Sequence, residues 1–330
     1  MGYDGKALHA ALTRFEEQKQ QRKEALLRRE NEIFLRQPRL MEIRRELSGT
    51  VAEIMGKALA RGGDTAAALA EIKEKNLALQ QERAMLLRLL GYPEDALDDA
   101  PACPLCRDTG YTDKGMCRCL KKLYTEEQNK ALSRLLDMEG QSFDSFSLEK
   151  YSTAAGNSGI SPYECAEKAR ETCFYFAHRF GAHAQSLILY GTPGTGKTHL
   201  SAAVARMVSD KGFSVVYDTA SHIFEGFEKE KFNREDEETR ENNRGVMESD
   251  LLIIDDLGTE MLTELVRSAL YTVVNTRLMG KKCTIINTNL DPKEIRSRYG
   301  DAAFSRMAGE YIQLPLFGDD IRRSRQGNRA

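Results

Sequence analysis

The octet Gly191-Thr192-Pro193-Gly194-Thr195-Gly196-Lys197-Thr198 carries the residue types needed to hold a polyphosphate. It fits the pattern G-x-x-x-x-G-K-[ST], between an apolar run, Ser186 to Tyr190, and a helical pattern, His199 to Val208. Glycines let the backbone bend tightly and turn several N–H groups toward one anion. The following helix adds its positive N-terminus. Lys197 is then placed to reach the β- and γ-phosphates as an exposed contact, and Thr198 to ligate Mg²⁺, with His199 completing the nucleotide contacts. The plainer reading, a glycine turn that only links strand to helix, does not account for Lys-Thr in register.

A second cluster of chemistry follows. Leu251-Leu252-Ile253-Ile254-Asp255-Asp256 is an apolar strand ending in two carboxylates, the Walker B arrangement when paired with a phosphate loop. Asp255 is expected to hold the Mg²⁺ shell through water or Thr198. Asp256 stands where many such enzymes carry Glu to orient the attacking water, and Glu260 is placed to assist. The plainer reading is two acids capping the next helix. Thr284-Ile285-Ile286 runs into Asn287-Thr288-Asn289, and an amide at a strand tip can sense a γ-phosphate; Asn289 is preferred over Asn287. Arg298, Arg306 and the pair Arg322-Arg323 are further candidates, because a guanidinium suits a phosphate presented by a neighbouring subunit or a closing lid.

A third cluster is separate from these. Cys103-Pro104-Leu105-Cys106 and Cys117-Arg118-Cys119 flank a short glycine-bearing turn. Four thiolates are the usual complement of a structural zinc site and leave no open position for water. An iron–sulfur cluster or a redox pair would use the same ligands. Cys165, Cys173 and Cys283 are read as buried or incidental thiols.

The positioning elements read as follows. From Leu187 the pattern alternates strand and helix, with strands at Leu187–Tyr190, Phe213–Tyr217, Leu251–Ile254 and Thr284–Ile286, and helices at 197–211, 219–230 and 262–279. This is an α/β pattern with a parallel sheet and helices on both faces. The charged stretch Phe227 to Glu248 reads as solvated helix and loop. Ser161-Pro162 caps a helix to Phe180, and Phe143 and Phe146 pin a polar linker onto the domain that follows. Residues 4–90 show helical patterns broken at Pro38 and at Arg61-Gly62-Gly63-Asp64, a hairpin or coiled-coil bundle whose narrow apolar stripes want a partner helix; a solvated spacer is the plainer reading. On one predicted face lie Leu8, Leu12 and Phe15. The organisation expected is a helical partner-docking region at 1–95, a metal-binding segment at 96–125, a linker at 126–160 and a nucleotide domain at 161–330.

Composition narrows the class. The chain has 330 residues, a net charge of −2, 30% charged residues and no Trp, so overall charge does not advertise nucleic acid and any contact needs a local patch. No apolar run has transmembrane length and no signal-peptide pattern opens the chain; with the odd cysteine count this predicts a cytoplasmic protein without membrane attachment.

The motifs GTPGTGKT, LLIIDDLGTE, INTNL, RYGDAAFSRM and GDDIRRSR, in this order, resemble AAA+ ATPases of the DnaC/DnaI type, the bacterial helicase loaders. The cysteine cluster and the helices before it are similar to the N-terminal half of such loaders. The resemblance is strong over residues 185–325, good at 103–119 and thin before 95. It implies an AAA+ ATPase fold, weak DNA-stimulated hydrolysis of ATP with Mg²⁺, and assembly around a hexameric DnaB-type replicative helicase and single-stranded DNA. It puts Arg306 at the arginine-finger place for a homo-oligomer, Arg322 at the sensor-2 place and Asn289 at the sensor-1 place. Asp256 in place of Glu matches several loaders. Two other classes stay open: a transposition regulator of the IstB type acting on duplex DNA, which the cysteine cluster disfavours, and a nucleotide-gated adaptor with negligible hydrolysis.

Overall fold

The computed structural model describes residues 3–59, 65–136, 140–155, 159–181, 184–232 and 236–321. The Arg61-Gly62-Gly63-Asp64 break and the arginines Arg322 and Arg323 lie outside the described residues. The chain divides into two compact units, one formed by residues 14–117 and the other by residues before 14 and after 117.

Helix α1 (Gly5–Arg36) begins in the larger unit and continues through the smaller one, which also holds α2 (Arg39–Leu59), α3 (Thr65–Leu89) and a hairpin of β1 (Tyr111–Thr112) and β2 (Gly115–Met116). The break between α1 and α2 falls at Gln37-Pro38, where the proline ring disfavours helix in the residue before it. Ile33, Leu40, Leu87 and Ala96 form a buried cluster on which Phe34, Leu86 and Leu90 pack. Charge pairs add to it. Buried Glu30 meets Arg44 at 2.7 Å, and Arg39 reaches Glu42, Glu46 and Glu82. On the first turns of α1 the buried residues are Ala7 and Ala11, whereas Leu12 is exposed; small residues take the contact face there, not the predicted leucines.

The larger unit contains α4 (Arg118–Leu135), α5 (Pro162–His178), β3 (Leu187–Tyr190), α6 (Lys197–Asp210), β4 (Val215–Thr219), α7 (Ala220–Lys231), α8 (Glu237–Glu248), β5 (Leu251–Leu257), α9 (Glu264–Met279), β6 (Cys283–Thr288), α10 (Pro292–Tyr299), α11 (Asp301–Glu310) and β7 (Ile312–Pro315). Five parallel strands run in the order β4-β5-β6-β3-β7. Alternation sorts their side chains to two cores. Leu187, Leu189, Leu251, Ile253 and Ile285 pack with α5 and α6 residues, while Ile188, Leu252, Ile254 and Ile286 pack with residues of α7 to α11. Burial on both faces explains why these strands read as continuous apolar runs.

Local signals set the helix starts. Ser161 and Glu164 form a reciprocal capping box with Pro162 in the first turn, as predicted, and Asp291 with Glu294 repeats the device at α10. β4 sits two residues later than its apolar pattern suggested. β7 is a short edge strand ending in Pro315 and α11 a further helix, neither anticipated; four residues with a proline at the sheet edge give little periodic signal. Among the described residues, no helix is long and apolar enough to cross a membrane.

Candidate nucleotide site

The sheet order puts β3, which leads into the phosphate loop, beside β6, with β5 one strand further on. Their carboxyl ends therefore meet at one crevice, the place where open α/β sheets bind ligands. A cleft of about 340 Å³ opens there, lined by Pro193 to His199, Asp256, Asn289, Ile321 and parts of the segment Gly140 to Tyr151.

Two glycines in the loop are demanded by close approach. A Cβ on Gly191 would lie 2.1 Å from the Leu316 carbonyl oxygen. Gly196 precedes α6 with φ +86°, and a Cβ there would lie 2.8 Å from the Phe146 ring and 2.9 Å from the Tyr151 hydroxyl. Lys197 is buried, not the exposed contact its motif suggested: its Nζ donates to the carbonyls of Gly191 (2.9 Å) and Thr192 (2.8 Å). Buried Thr195 donates to Thr192 O (2.8 Å) and Leu316 O (3.2 Å). The segment after β7 packs on the loop too, through Thr192 Oγ1 to Gly318 O (3.0 Å) and Ile321 N to Gly194 O (3.1 Å).

Asp255 is buried behind the loop. Its Oδ2 accepts from Tyr217 Oη (2.5 Å) and Thr198 Oγ1 (3.1 Å); its Oδ1 accepts from Asn287 Nδ2 (2.8 Å) and the Asp256 N–H (3.1 Å). Thr198 and Asp255 thus bring together two hard oxygen donors of the kind Mg²⁺ takes, and Pro193 to His199 surround space open to a polyphosphate. The residues fit both groups. Burial, reinforced by the Asp255 carboxylate, pushes the Tyr217 phenol well above its ordinary range, so its hydroxyl keeps the proton it donates.

Asp256 sits in a bulge of the strand. Ile254 pairs with Ile286 and Leu257 with Thr288, so β5 spends one residue more than β6 between the two pairings. Asp256 takes φ +53°, is exposed, and lines the cleft. The two amides also part company. Asn289 lines the cleft, whereas Asn287 is buried, bonded to Asp255 and to Ser201 Oγ (2.8 Å).

The wall opposite comes from Gly140 to Tyr151. Phe143 and Phe146 are buried in the larger unit's core, as their spacing predicted. Tyr151 Oη donates to Thr195 O (2.8 Å), and His199 Nε2 lies 2.8 Å from Ser142 O and 3.2 Å from Ser145 Oγ. Phe146 packs edge-on against His199, with ring centroids 5.4 Å apart. Ser145, Lys150 and Tyr151 were not singled out by sequence; no motif marks a loop residue that reaches the site through tertiary packing.

Other candidates lie elsewhere. Glu260 is turned away from the cleft: Tyr299 Oη donates to its carboxylate, as does the Gly258 N–H (2.9 Å), and Arg298 reaches its backbone oxygen (2.5 Å). Arg298 therefore braces this loop. Arg306 is exposed on α11 and does not line the cleft.

The cysteines converge as their spacing required. The Sγ atoms of Cys103, Cys106, Cys117 and Cys119 all lie within 4.8 Å of one another, with the first three buried. Asp108 organises the first pair by accepting from the N–H groups of Ala102 and Cys103 (3.0 Å each), while Arg22 pairs with it at 3.0 Å. The Cys106 N–H pulls the Cys103 thiol down to about 6, favouring the thiolate a metal needs.

Residues 171–308 match the family model described as IstB-like ATP binding protein. The chain is 29% identical over 155 residues to the replicative helicase loader DnaC of Buchnera aphidicola subsp. Baizongia pistaciae, covering 46% of this chain and 63% of that one. Against the replicative helicase loader DnaC of Escherichia coli strain K12 it is 28% identical over 158 residues, covering 48% and 62%. Residues 171–308 are thus similar to the IstB-like ATP binding proteins, and about half of the chain is similar to the DnaC loaders. The match spans less than two thirds of the length of these curated relatives. A solved structure of the DnaC helicase loader is similar with a TM-score of 0.43 and 23% identity, over 53% of this chain and 98% of that one.

Proposed function

We propose that the chain is an ATPase that uses its nucleotide state to load a hexameric replicative helicase onto single-stranded DNA. The observation that carries the nucleotide part is the Thr198–Asp255 contact beside a cleft lined by the phosphate loop, Asp256 and Asn289. The loader part rests on the similarity of about half of the chain to the DnaC loaders, over 155 and 158 residues.

In this reading the Gly191–Gly196 backbone and Lys197 hold the β- and γ-phosphates, with Lys197 exchanging its two carbonyl partners for phosphate oxygens. Thr198 and Asp255 would hold Mg²⁺, which would supply positive charge to the phosphates. Asp256 orients the attacking water and Asn289 bonds the γ-phosphate. Arg306 serves the site of a neighbouring copy, since a loose phosphoryl-transfer transition state gains from an added cation. Arg322 acts on its own site. The residue 1–95 region docks the helicase, and the larger unit tracks the DNA backbone.

The four thiolates hold one structural zinc. With Zn–S bonds of about 2.3 Å, tetrahedral ligands stand about 3.8 Å apart, and Cys103 and Cys117 Sγ are 3.7 Å apart.

The family match to IstB-like proteins supports a second reading, a transposition regulator assembling on duplex DNA. The test uses full-length protein with a hexameric replicative helicase and fluorescent single-stranded or duplex DNA. ATP-dependent transfer of helicase onto the single strand, lost in Lys197→Ala, is expected. Filaments on duplex DNA without helicase transfer would refute the loader. Turnover of Lys197→Ala equal to wild type would refute the site.

A further inference from the structure

We infer that Tyr217 is a positioning residue for Mg²⁺-nucleotide binding, acting through Asp255; the inference rests on the nucleotide reading above. Parallel pairing of β4 with β5 sets Thr219 opposite Asp255 and Tyr217 opposite Ile253. Two residues along a strand share a face, so Tyr217 and Asp255 project on the same side of the sheet. The result is the 2.5 Å bond from Tyr217 Oη to Asp255 Oδ2.

The carboxylate is held from three directions. Asn287 on β6 grips Oδ1, Tyr217 on β4 grips Oδ2, and Thr198 approaches from α6. Asp255 follows Ile254 at the bulge, where the ladder to β6 is interrupted. Pairing with β4 continues through Asp255, but the β6 side of the ladder does not, and the Asn287 and Tyr217 side chains add the restraint missing there. Of the three, Thr198 is itself a cation ligand in the nucleotide reading. Tyr217, Asn287 and the Asp256 N–H remain to keep the carboxylate from swinging when the cation binds. Tyr217 also permits a clean deletion: Phe keeps the ring that packs on the core and removes only the hydroxyl.

Partners that orient a metal's ligands are typically worth about 10- to 100-fold in metal affinity. Tyr217→Phe is expected near the lower end, about 10-fold, because Asn287 remains. Nucleotide affinity without cation is expected to be unchanged, since Tyr217 is not among the residues lining the cleft.

The experiment measures binding of a fluorescent ADP analogue to the full chain, in chelator and across a Mg²⁺ titration. Wild type, Tyr217→Phe, Asp255→Asn and the double variant are compared, with thermal unfolding recorded for each. Expected is wild-type-like binding of Tyr217→Phe in chelator, and about 10-fold more Mg²⁺ for half-maximal tightening. No further penalty is expected when Tyr217→Phe is added to Asp255→Asn. An unchanged Mg²⁺ midpoint in Tyr217→Phe, or an equal penalty in both backgrounds, overturns the inference while leaving the nucleotide site standing. Wild type that binds no analogue, with or without Mg²⁺, overturns the nucleotide reading itself.

Discussion

Arg277 is fully buried, yet among the described residues its guanidinium bonds to no carboxylate. Nε donates to Thr284 Oγ1 (3.0 Å), Nη1 to Val246 O (2.8 Å), Met247 O (3.2 Å) and Ser249 Oγ (3.3 Å), and Nη2 to Cys283 O (2.6 Å). Val246 and Met247 belong to the last turn of α8, whose carbonyls lack helical partners and carry the negative end of the helix dipole. A cation there is favoured electrostatically even without a counter-ion. Burial pulls its pKa down to about 10, so it remains charged at neutral pH.

Arg277→Met keeps the approximate volume and removes every donor. It strands at least the last-turn carbonyls of Val246 and Met247, at about 1–3 kcal/mol each. Relief of the buried charge offsets part of that. The expected net loss is about 2–4 kcal/mol, or about 5–15 °C in the unfolding midpoint of a domain this size. Arg277→Lys should fare no better, because three donors on a point charge cannot replace a five-donor fork. Calorimetry on the full chain, with the transition assigned by its shift on adding nucleotide, is the measurement. Nucleotide affinity at 15 °C should survive within about threefold, a difference below 1 kcal/mol, because Thr284 and Cys283 open β6 at the end away from Asn289. If Arg277→Met unfolds at or above the wild-type midpoint, the buried charge costs more than its donors return and the reasoning is wrong.

Asp256→Asn should lower turnover by about 10²–10⁴-fold, the usual worth of a positioned base, while the affinity for an ADP analogue holds; equal loss of both would make Asp256 structural. Cys103→Ser should purify without the roughly one zinc per chain that a Cys₄ site holds, read by metal analysis, and iron with visible absorbance in wild type would refute zinc. Acid stability should depend on Asp250. Burial raises this carboxyl, but the bonds from Lys282 and Ser214 outweigh it and hold it below its ordinary 3.8. A lowered carboxylate contributes stability above its unfolded value that disappears as pH falls through its folded one. Asp250→Asn should therefore be destabilised at pH 7 and show a shallower loss below pH 3.8 in denaturant titrations; an acid limb identical to wild type would remove Asp250 from that role.

What could be read in advance follows from how local each signal is. The phosphate loop, the apolar strands β3, β5 and β6 and the cap at Ser161 are contiguous in sequence, and each appears where its residues predict. The same holds for the four thiols, because two close pairs on a short turn have few ways not to meet. Glu260 shows the limit. Its place after the Walker B strand suggests the site, but Tyr299, from a helix that begins 32 residues later, captures its carboxylate. Leu12 shows another: periodicity gave a face to α1, and Ala7 and Ala11 buried a different one.

Asp255 and Asp256 are the sharpest case, because adjacent identical residues acquire opposite surroundings. In a regular strand they would also face opposite ways, so alternation alone does not distinguish their duties. The bulge does, by holding Asp256 at φ +53° and leaving it in the cleft while Asp255 turns into the sheet. A β-branched residue would resist that backbone, whereas Asp tolerates it. The shorter acid at this position is thus suited to the local conformation as well as to the water it would orient. A carboxylate exposed at the cleft and another buried and bonded by Tyr217, Asn287 and Thr198 suit the different tasks proposed for them: one would orient water, the other would stay still beside a cation.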